Sequence, residues 1–404
     1  MSEPLLVIGN GMAAAKLCEE LAARALGRYA VAVIGAEPHL AYNRVLLSEV
    51  LAGHMRAEEA QMKPAAWWRE KGVTLQYGTP AAAIDRAARE VVLQDGRRLP
   101  YAKLVLATGS HPIRLPLKGM DLEGVHTFRD LKDVEALLAA AAVRGTRAVV
   151  IGGGLLGLEA AVGLAGAGVE TTLVHLMDRL MERQLDATAA QLLKQAVEAR
   201  GVDVQLQAAS EAIEGEAHVT GLRLKDGRVI PADLVVVACG VVPNADLARA
   251  AGLEVKRGTL VDDTLSTSDP DIFAIGECAE HRGIAYGLVA PAYDQARVLA
   301  RRLAGEDARY EGSVVATNLK VSGVPVFSAG DVAGGAGTED IVLTDRGLNL
   351  YRRLIVRDGL LAGAVLFGDS ADGLFYLDLI TTRTPIAAMR ADLAFGRDAV
   401  AAAA

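Results

Sequence analysis

Cysteine is scarce in this 404-residue chain: Cys18, Cys239 and Cys278 lie far apart, and no CxxC or CxC occurs. That excludes a disulfide framework, a cysteine-ligated iron–sulfur cluster and a dithiol centre, each of which needs convergent thiols. Positive charge is also short. The formal net charge is -8 with no concentrated basic footprint, which argues against wrapping nucleic acid. A local basic patch for an acidic protein partner is left open. Apolar runs are broken by Gly, Arg or Asp well before bilayer length, so no membrane span is expected. The chain starts on a strand-like LLVIG with no basic segment before it. No signal peptide is expected, and a cytoplasmic location is the default. Hydrophobic residues make up 51%, enough for two to three domains at this length.

Glycine is plentiful, 42 residues, many clustered beside apolar runs, as in nucleotide-binding turns. LLVIGNGMAAAKLCEE, Leu5 to Glu20, reads as strand, tight turn, helix. Gly9 permits the turn, Gly11 lets backbone approach a pyrophosphate, and the helix start attracts its charge. Met12 and Ala13 open that helix, and Ala14 takes the third glycine position. The next strand, YAVAVIG, is followed by Glu37, placed to accept from an adenosine ribose. AVVIGGGLLGLEA, Ala148 to Ala160, repeats the device. Gly152, Gly154 and Gly157 give the full spacing, Leu155 and Leu156 open the helix, and Glu159 follows. At the end of its partner strand, VETTLVHL (Val169 to Leu176), His175 stands where an acid usually meets a ribose, with Asp178 and Arg179 nearby. A ribose hydroxyl can bond imidazole or Asp178, whereas Arg179 suits a 2'-phosphate. NADH and NADPH therefore both stay open, with a lean to NADH. Two such turns in one chain point to one bound flavin dinucleotide and one exchanging nicotinamide dinucleotide.

Two further apolar runs close these domains. YAKLVLATGS ends in Thr108-Gly109, and ADLVVVACGVVPN ends in Gly240 before Pro243-Asn244. Each follows an Asp-Gly turn (Asp95-Gly96, Asp226-Gly227) that reads as a hairpin. Cys239, inside the second run, reads as a buried core thiol.

On these segments, with GAEPHLAYNRVLLSEVLAG (Gly35 to Gly53), LATGSHPIRLPLKG (Leu106 to Gly119), VHLMDRLMERQLD (Val174 to Asp186) and IFAIGECAEHRG (Ile272 to Gly283), the chain resembles the FAD-dependent pyridine nucleotide-disulfide oxidoreductase superfamily. Within it, the nearest likeness is to the FAD- and NAD(P)H-binding part of assimilatory nitrite/nitrate reductase electron-transfer proteins. Rubredoxin and ferredoxin reductases are near relatives. The resemblance implies an α/β protein with two Rossmann-like domains, glutathione-reductase-like, plus a small C-terminal α/β domain. The expected division is 1–118 and 245–315 for FAD, 119–244 for NAD(P)H and 316–404 for the C-terminal domain. It implies that Arg44 packs on the FAD adenine or pyrophosphate, consistent with guanidinium chemistry. It places Ser48 and Glu49 on the flavin side, where relatives carry a lysine at the position of Glu49, and gives Glu159 a role in nicotinamide and flavin alignment. The simpler reading of Glu159 is a first-turn acid favoured by the helix dipole.

IFAIGECAEHRG gathers Glu277, Cys278 and His281. Zinc needs three or four convergent ligands, and a Cys–His nucleophile lacks a third member. No metal is expected. By the resemblance, Gly276 ends a strand and Glu277, where relatives usually carry aspartate, bonds an FAD ribityl hydroxyl. Hydride transfer from NAD(P)H to FAD, then electron transfer to a redox protein, is the expected activity. The acceptor is a nitrate or nitrite reductase subunit, a rubredoxin or a ferredoxin. Sirohaem and iron–sulfur chemistry would fall to another subunit, since no cysteine follows Cys278. The alternatives are a reductase of another pathway, a stand-alone NADH oxidase or diaphorase, and a non-enzymatic flavin-binding protein. A helix is predicted from Pro291 to Gly305, strand-like runs at VSGVPVFSAGD, LNLYRRLIVRDGLLAGAVLFGD and LFYLDLI, a terminal helix around TPIAAMRADLAFG, and a frayed alanine tail. In relatives this last domain supports partner or homodimer contact. Lys320, Arg352 and Arg353 are candidates for it, ordinary solvated charge being the simpler reading.

Overall fold

Leu5–Ile8 is an unbroken apolar run with every side chain buried, which only a strand covered on both faces can satisfy. It forms the middle of a five-stranded parallel sheet. The order is Thr74–Tyr77, Tyr29–Gly35, Glu3–Ile8, Lys103–Leu106, Ile272–Ala274. The computed structural model describes residues 2–25, 27–319 and 323–403. Its chain divides into two units. The first comprises Met1–Leu47, Met55–His111 and Val241–Ser313, and the second Ser48–His54, Pro112–Gly240 and Val314–Ala404.

In the first unit, helix Met12–Arg24 buries Ala14, Leu17, Cys18 and Leu21, the three-and-four spacing of one helix face. That face and helix Val289–Leu303, which buries Ala292, Ala296, Leu299 and Leu303, belong to one core with the sheet. A three-stranded antiparallel meander, Ala81–Asp85, Glu90–Leu93 and Arg98–Pro100, precedes the strand Lys103–Leu106. The Asp95-Gly96 turn makes its second hairpin, with Gly96 at φ +86. The fifth sheet strand, Ile272–Ala274, comes late in the chain. It carries IFAIGEC back to the sheet edge.

The second unit repeats the plan. Its parallel sheet runs Val202–Gln205, Glu170–Val174, Arg147–Ile151, Leu234–Val237, Val125–Thr127. A meander of Ser210–Gly215, Val219–Leu224 and Val229–Pro231 again precedes the fourth strand. The duplication extends to single hydrogen bonds. Gly9 N–H donates to Ile34 O and Ala107 N–H to Ile8 O, at 2.8 Å each. Their counterparts, Gly152 to Val174 and Ala238 to Ile151, measure 2.9 Å each.

The remainder of the second unit is a five-stranded antiparallel sheet. The order is Ala316–Leu319, Val326–Gly330, Leu360–Phe367, Leu350–Arg357, Glu339–Asp345. LFYLDLI, read as strand-like, is instead part of helix Gly373–Thr382. Tyr376 and Leu379 are buried and Leu374 is 70% exposed, a helical pattern rather than strict alternation. Gly373 lets this helix close on the sheet, since a Cβ there would sit 2.7 Å from the Phe327 ring. The helix expected at TPIAAMRADLAFG is two short 3-10 turns, Ala387–Met389 and Leu393–Phe395. Pro385 has no N–H for a helical bond, and Ile386 N–H is committed to Gly359 O at 3.1 Å. The alanine tail expected to fray is helical over Arg397–Ala403, in keeping with alanine's propensity. The helix predicted from Pro291 starts two residues earlier, at Val289.

Lys320 lies outside the described residues. Arg352 is no surface contact: it is 4% exposed. It donates to Tyr376 Oη at 2.7 Å and Ala394 O at 2.9 Å, and sits 3.1 Å from Asp372. Arg353 is held by Asp340 at 2.9 Å and Val332 O at 3.0 Å. Both arginines stitch the C-terminal fold together instead of facing solvent. Arg352→Ala leaves a partly buried carboxylate uncompensated, so a loss of about 3 kcal/mol is expected in chemical denaturation of this unit.

Candidate dinucleotide-binding sites

In the first unit, Gly9 stands at φ +114, and a Cβ there would lie 2.0 Å from Ala107 O. Only glycine lets the turn press on the neighbouring strand's end. Gly11 is the reverse case: a Cβ there would meet nothing within 4 Å. It is the N-cap of Met12–Arg24, with no side-chain cap and no acid in the first turn. The amide donors around Met12 and Ala13 therefore face a cradle suited to an anion. Gly276, at φ +78, abuts this helix start, 3.0 Å from Ala13 Cβ for a hypothetical Cβ. Its N–H donates to Gln295 Oε1 at 2.7 Å. Gln295 is 1% exposed, and its Nε2, like Asn10 Oδ1, is buried without a protein partner. Orphaned polar atoms beside an open glycine cradle fit a polar dinucleotide such as FAD.

Glu37 accepts from Tyr42 Oη at 2.6 Å and is salt-bridged to Arg44, whose guanidinium lies over the Tyr42 ring. The expected ribose acid and phosphate base are thus brought together. Thr108 and Asn244 exchange side-chain and backbone hydrogen bonds at 2.8 Å each, and Asn244 N–H adds one to Gly109 O at 2.9 Å. Ser110 Oγ donates to Glu277 Oε2 at 2.7 Å. Asn10, Ser110, Asn244 and Gln295 escaped the sequence reading. Pro243-Asn244 after the closing strand was the one visible signal.

The three residues of IFAIGECAEHRG diverge. Cys278 is fully buried, its thiol pushed up by burial and within 3.3 Å of Ile275 O. His281 is 1% exposed and bonds Asp263 at 2.9 Å. Asp263, beside Arg282 and His281, is held down at about 2. Among the described residues no group of three His, Cys, Asp or Glu is placed to hold a metal.

In the second unit, Gly152 stands at φ +124 with Ala238 O 2.4 Å from a hypothetical Cβ, and a Cβ on Gly154 would meet nothing within 4 Å. Gly154 caps helix Leu155–Gly166, whose first turn, Leu155 and Leu156 included, again holds no acid. Gly157 is the packing glycine: a Cβ there would come 1.8 Å from Gly152 O. Gly240, at φ +106, lies just beyond the closing strand Leu234–Val237, and its carbonyl accepts from Ile113 N–H at 3.0 Å. Cys239 is half-buried rather than core. Its thiol is pushed up to about 11 and points at Ile151 O, 3.2 Å away. His175 is 9% exposed and bonds both Gly153 N–H and Glu182.

Glu159 lies inside the helix, largely enclosed by protein, and its carboxyl is pushed up to about 8 by burial, with the nearby Glu49 charge adding to it. Glu49 belongs to helix Leu47–Leu51, which begins next to Ser48. Leu51 of that helix reaches Gly163, one turn beyond Glu159, at 3.0 Å from a hypothetical Cβ. Glu49 itself bonds His54 Nδ1 at 3.0 Å.

A family model described as pyridine nucleotide-disulphide oxidoreductase matches residues 3–298, and one described as rubredoxin NAD+ reductase C-terminal domain matches 316–384. The chain belongs to the pyridine nucleotide-disulphide oxidoreductase family, and is classed with its FAD-dependent NAD(P)H oxidoreductases. Among its relatives is a nitrite reductase [NAD(P)H] of Bacillus subtilis, 46% identical over 91% of this chain and 46% of that protein. Another is an assimilatory nitrate reductase electron transfer subunit of the same organism, 40% identical over 95% and 50%. The chain thus spans about half the length of these relatives. A solved ferredoxin reductase from Rhodopseudomonas palustris matches with a TM-score of 0.86 at 30% identity, covering 93% of both chains. No helix among the described residues is long and apolar enough to cross a membrane.

Glu159 carries a testable consequence. Its folded-state value lies above the ordinary 4.5, so the folded state holds an extra proton between about pH 4.5 and 8. Stability contributed by that proton is full below the lower value and is lost as pH rises through about 8. Glu159→Gln is expected to flatten the fall in melting temperature over that range, a difference on the order of 3 kcal/mol at pH 8.5. Parallel curves for the two proteins would show that Glu159 is ionised throughout.

Proposed function

We propose that this chain accepts reducing equivalents from NAD(P)H on FAD and passes them to a redox-protein acceptor in nitrate or nitrite assimilation. The carrying observation is the pair of glycine cradles, each open at its middle glycine (Gly11, Gly154) and each facing an uncapped helix start. The chemistry supplied by bound FAD is acceptance of a hydride and release of electrons singly.

The chain's own residues bind and orient. Gly9, Gly11, Met12 and Ala13 seat the FAD pyrophosphate, with Glu37 on the ribose and Arg44 exchanging its partner for adenine or phosphate. Thr108, Gly109 and Gly276 line the flavin end, and Glu277, aimed by Ser110, takes a ribityl hydroxyl. Gly152, Gly154, Leu155, Leu156, Gly157 and Gly240 seat the nicotinamide dinucleotide, with His175 at its adenosine end. Glu159, protonated at neutral pH beside Glu49, aligns the nicotinamide as a neutral donor. Support for a redox-protein acceptor comes from relatives of electron-transfer type and from the three cysteines, each unpaired. Nitrite reduction itself is assigned to another segment or subunit. A dedicated NADH oxidase is the second reading, disfavoured by the lack of a reactive thiol.

Purified protein is expected to be yellow and to bleach within a stopped-flow trace on anaerobic addition of NADH or NADPH. Persistent oxidised flavin with both donors would sink the reductase reading. Gly11→Val should weaken FAD retention and Gly154→Val should weaken dinucleotide binding with flavin retained, each by about tenfold or more. Reduced protein should reoxidise faster with ferredoxin, rubredoxin or a nitrite-reductase subunit than with oxygen, and the reverse order would favour the oxidase.

A further inference from the structure

The repeated hydrogen bonds at the two glycine turns allow the two lobes to be compared residue by residue. Gly9 N–H bonds Ile34 O, and Gly152 N–H bonds Val174 O. Counting onward, Asn10 corresponds to Gly153, Gly35 to His175, and Glu37 to Met177. Side chain and glycine have changed places. A Cβ on Gly35 would lie 2.7 Å from Asn10 Cβ, and a Cβ on Gly153 would lie 2.6 Å from His175 Cγ. The position of the first lobe's ribose acid therefore holds Met177, which brings no charge and no strong hydrogen bond.

An acid reaches the same turn by another route. His175 Nδ1 accepts from Gly153 N–H at 3.0 Å. An accepting ring nitrogen carries no proton, so in the neutral ring the proton sits on Nε2. That nitrogen is 3.1 Å from Glu182 Oε2, and donates to it. Met181 N–H bonds Gly153 O at 3.0 Å, which clips the segment carrying Glu182 to the glycine turn. Glu182 is held by a buried ring yet keeps 25% of its side chain exposed. Of the neighbouring cations, Arg183 is exposed, and Arg179 lies with Nη1 3.2 and 3.3 Å from the two Asp178 oxygens while its Nε is buried without a partner.

We propose that Glu182, positioned by His175, is the acid that reads the adenosine ribose in the second lobe and makes it select NADH over NADPH. This rests on the reading of that turn as the nicotinamide-dinucleotide site. A ribose 2'-hydroxyl donates to a carboxylate, whereas a 2'-phosphate brings close to two negative charges against it. The preference is thus set by repulsion as much as by attraction.

The test is equilibrium binding of NADH and NADPH to the flavin-loaded protein, followed by intrinsic fluorescence or calorimetry. Glu182→Gln removes the charge but keeps an acceptor for His175 Nε2–H, and Glu182→Asp keeps the charge. Wild type should bind NADH more tightly. Glu182→Gln should shift the NADH-to-NADPH affinity ratio by about tenfold towards NADPH. Glu182→Asp should retain the preference, and the wild-type ratio should shrink in high salt. A purely structural Glu182 would weaken both dinucleotides together and leave the ratio unchanged, which overturns the proposal. A wild-type preference for NADPH also overturns it. Wild type binding neither dinucleotide would instead refute the assignment of the turn itself, and the proposal with it.

Discussion

Both lobes depend on one steric constraint: a strand must end in a turn that touches the carbonyl of the neighbouring strand. At Gly9 the carbonyl belongs to Ala107, and at Gly152 to Ala238. Any side chain there would collide with backbone, which cannot swing away as a side chain can. The contact aligns the ends of the two central strands, and the following helix then starts directly above them. Its unpaired N–H groups converge on one spot because the turn allows no other exit. The anion cradle is a consequence of close strand packing, and two copies of that packing give two cradles.

The duplication is strict where backbone sets geometry and loose where ligands differ. The third glycine illustrates this. In the second lobe Gly157 is required because Gly152 O lies 1.8 Å from where its Cβ would be. In the first lobe the same place holds Ala14, fully buried, so the helix stands far enough off to admit a methyl group. The swap of Asn10 and Gly35 for Gly153 and His175 is a second departure. In each pair one partner must be glycine for the other to have a side chain, so the volume is conserved while its chemistry changes. A tightly held cofactor and an exchanging one can be served by the same framework through such local substitutions.

Much of this was legible from sequence because it rests on short-range rules. Strand, glycine turn and helix are adjacent in the chain, and the Asp-Gly hairpins announce themselves. The fifth strand of the first sheet, Ile272–Ala274, arrives from far along the sequence, and only the resemblance pointed to its place. The C-terminal region resisted for a different reason. LFYLDLI is a short apolar run, and its helical form is decided by Gly373 meeting Phe327 from a distant strand. Arg352 looked like surface charge because nothing local reveals Tyr376, Asp372 and Ala394 O waiting for it. Asn10, Ser110 and Gln295 were missed since a lone polar residue has no periodicity to mark it.

The cysteines limit the thiol chemistry open to the family framework in these residues. A thiol takes part in disulfide exchange only as a thiolate, and only with a second sulfur in reach. Cys18 is fully buried with its thiol pushed up to about 12. Cys239 and Cys278 are raised by the same cause, each against a backbone carbonyl that accepts from the thiol and so favours its neutral form. None has a partner sulfur, since all three are free. Two-electron transfer into a protein disulfide is thereby closed off. Within these 404 residues no pair of thiols stands ready to take electrons from a reduced flavin. The absence of thiol pairs noted at the outset is thus a physical constraint: burial and isolation together take dithiol chemistry away from these residues, although the family framework around them is kept.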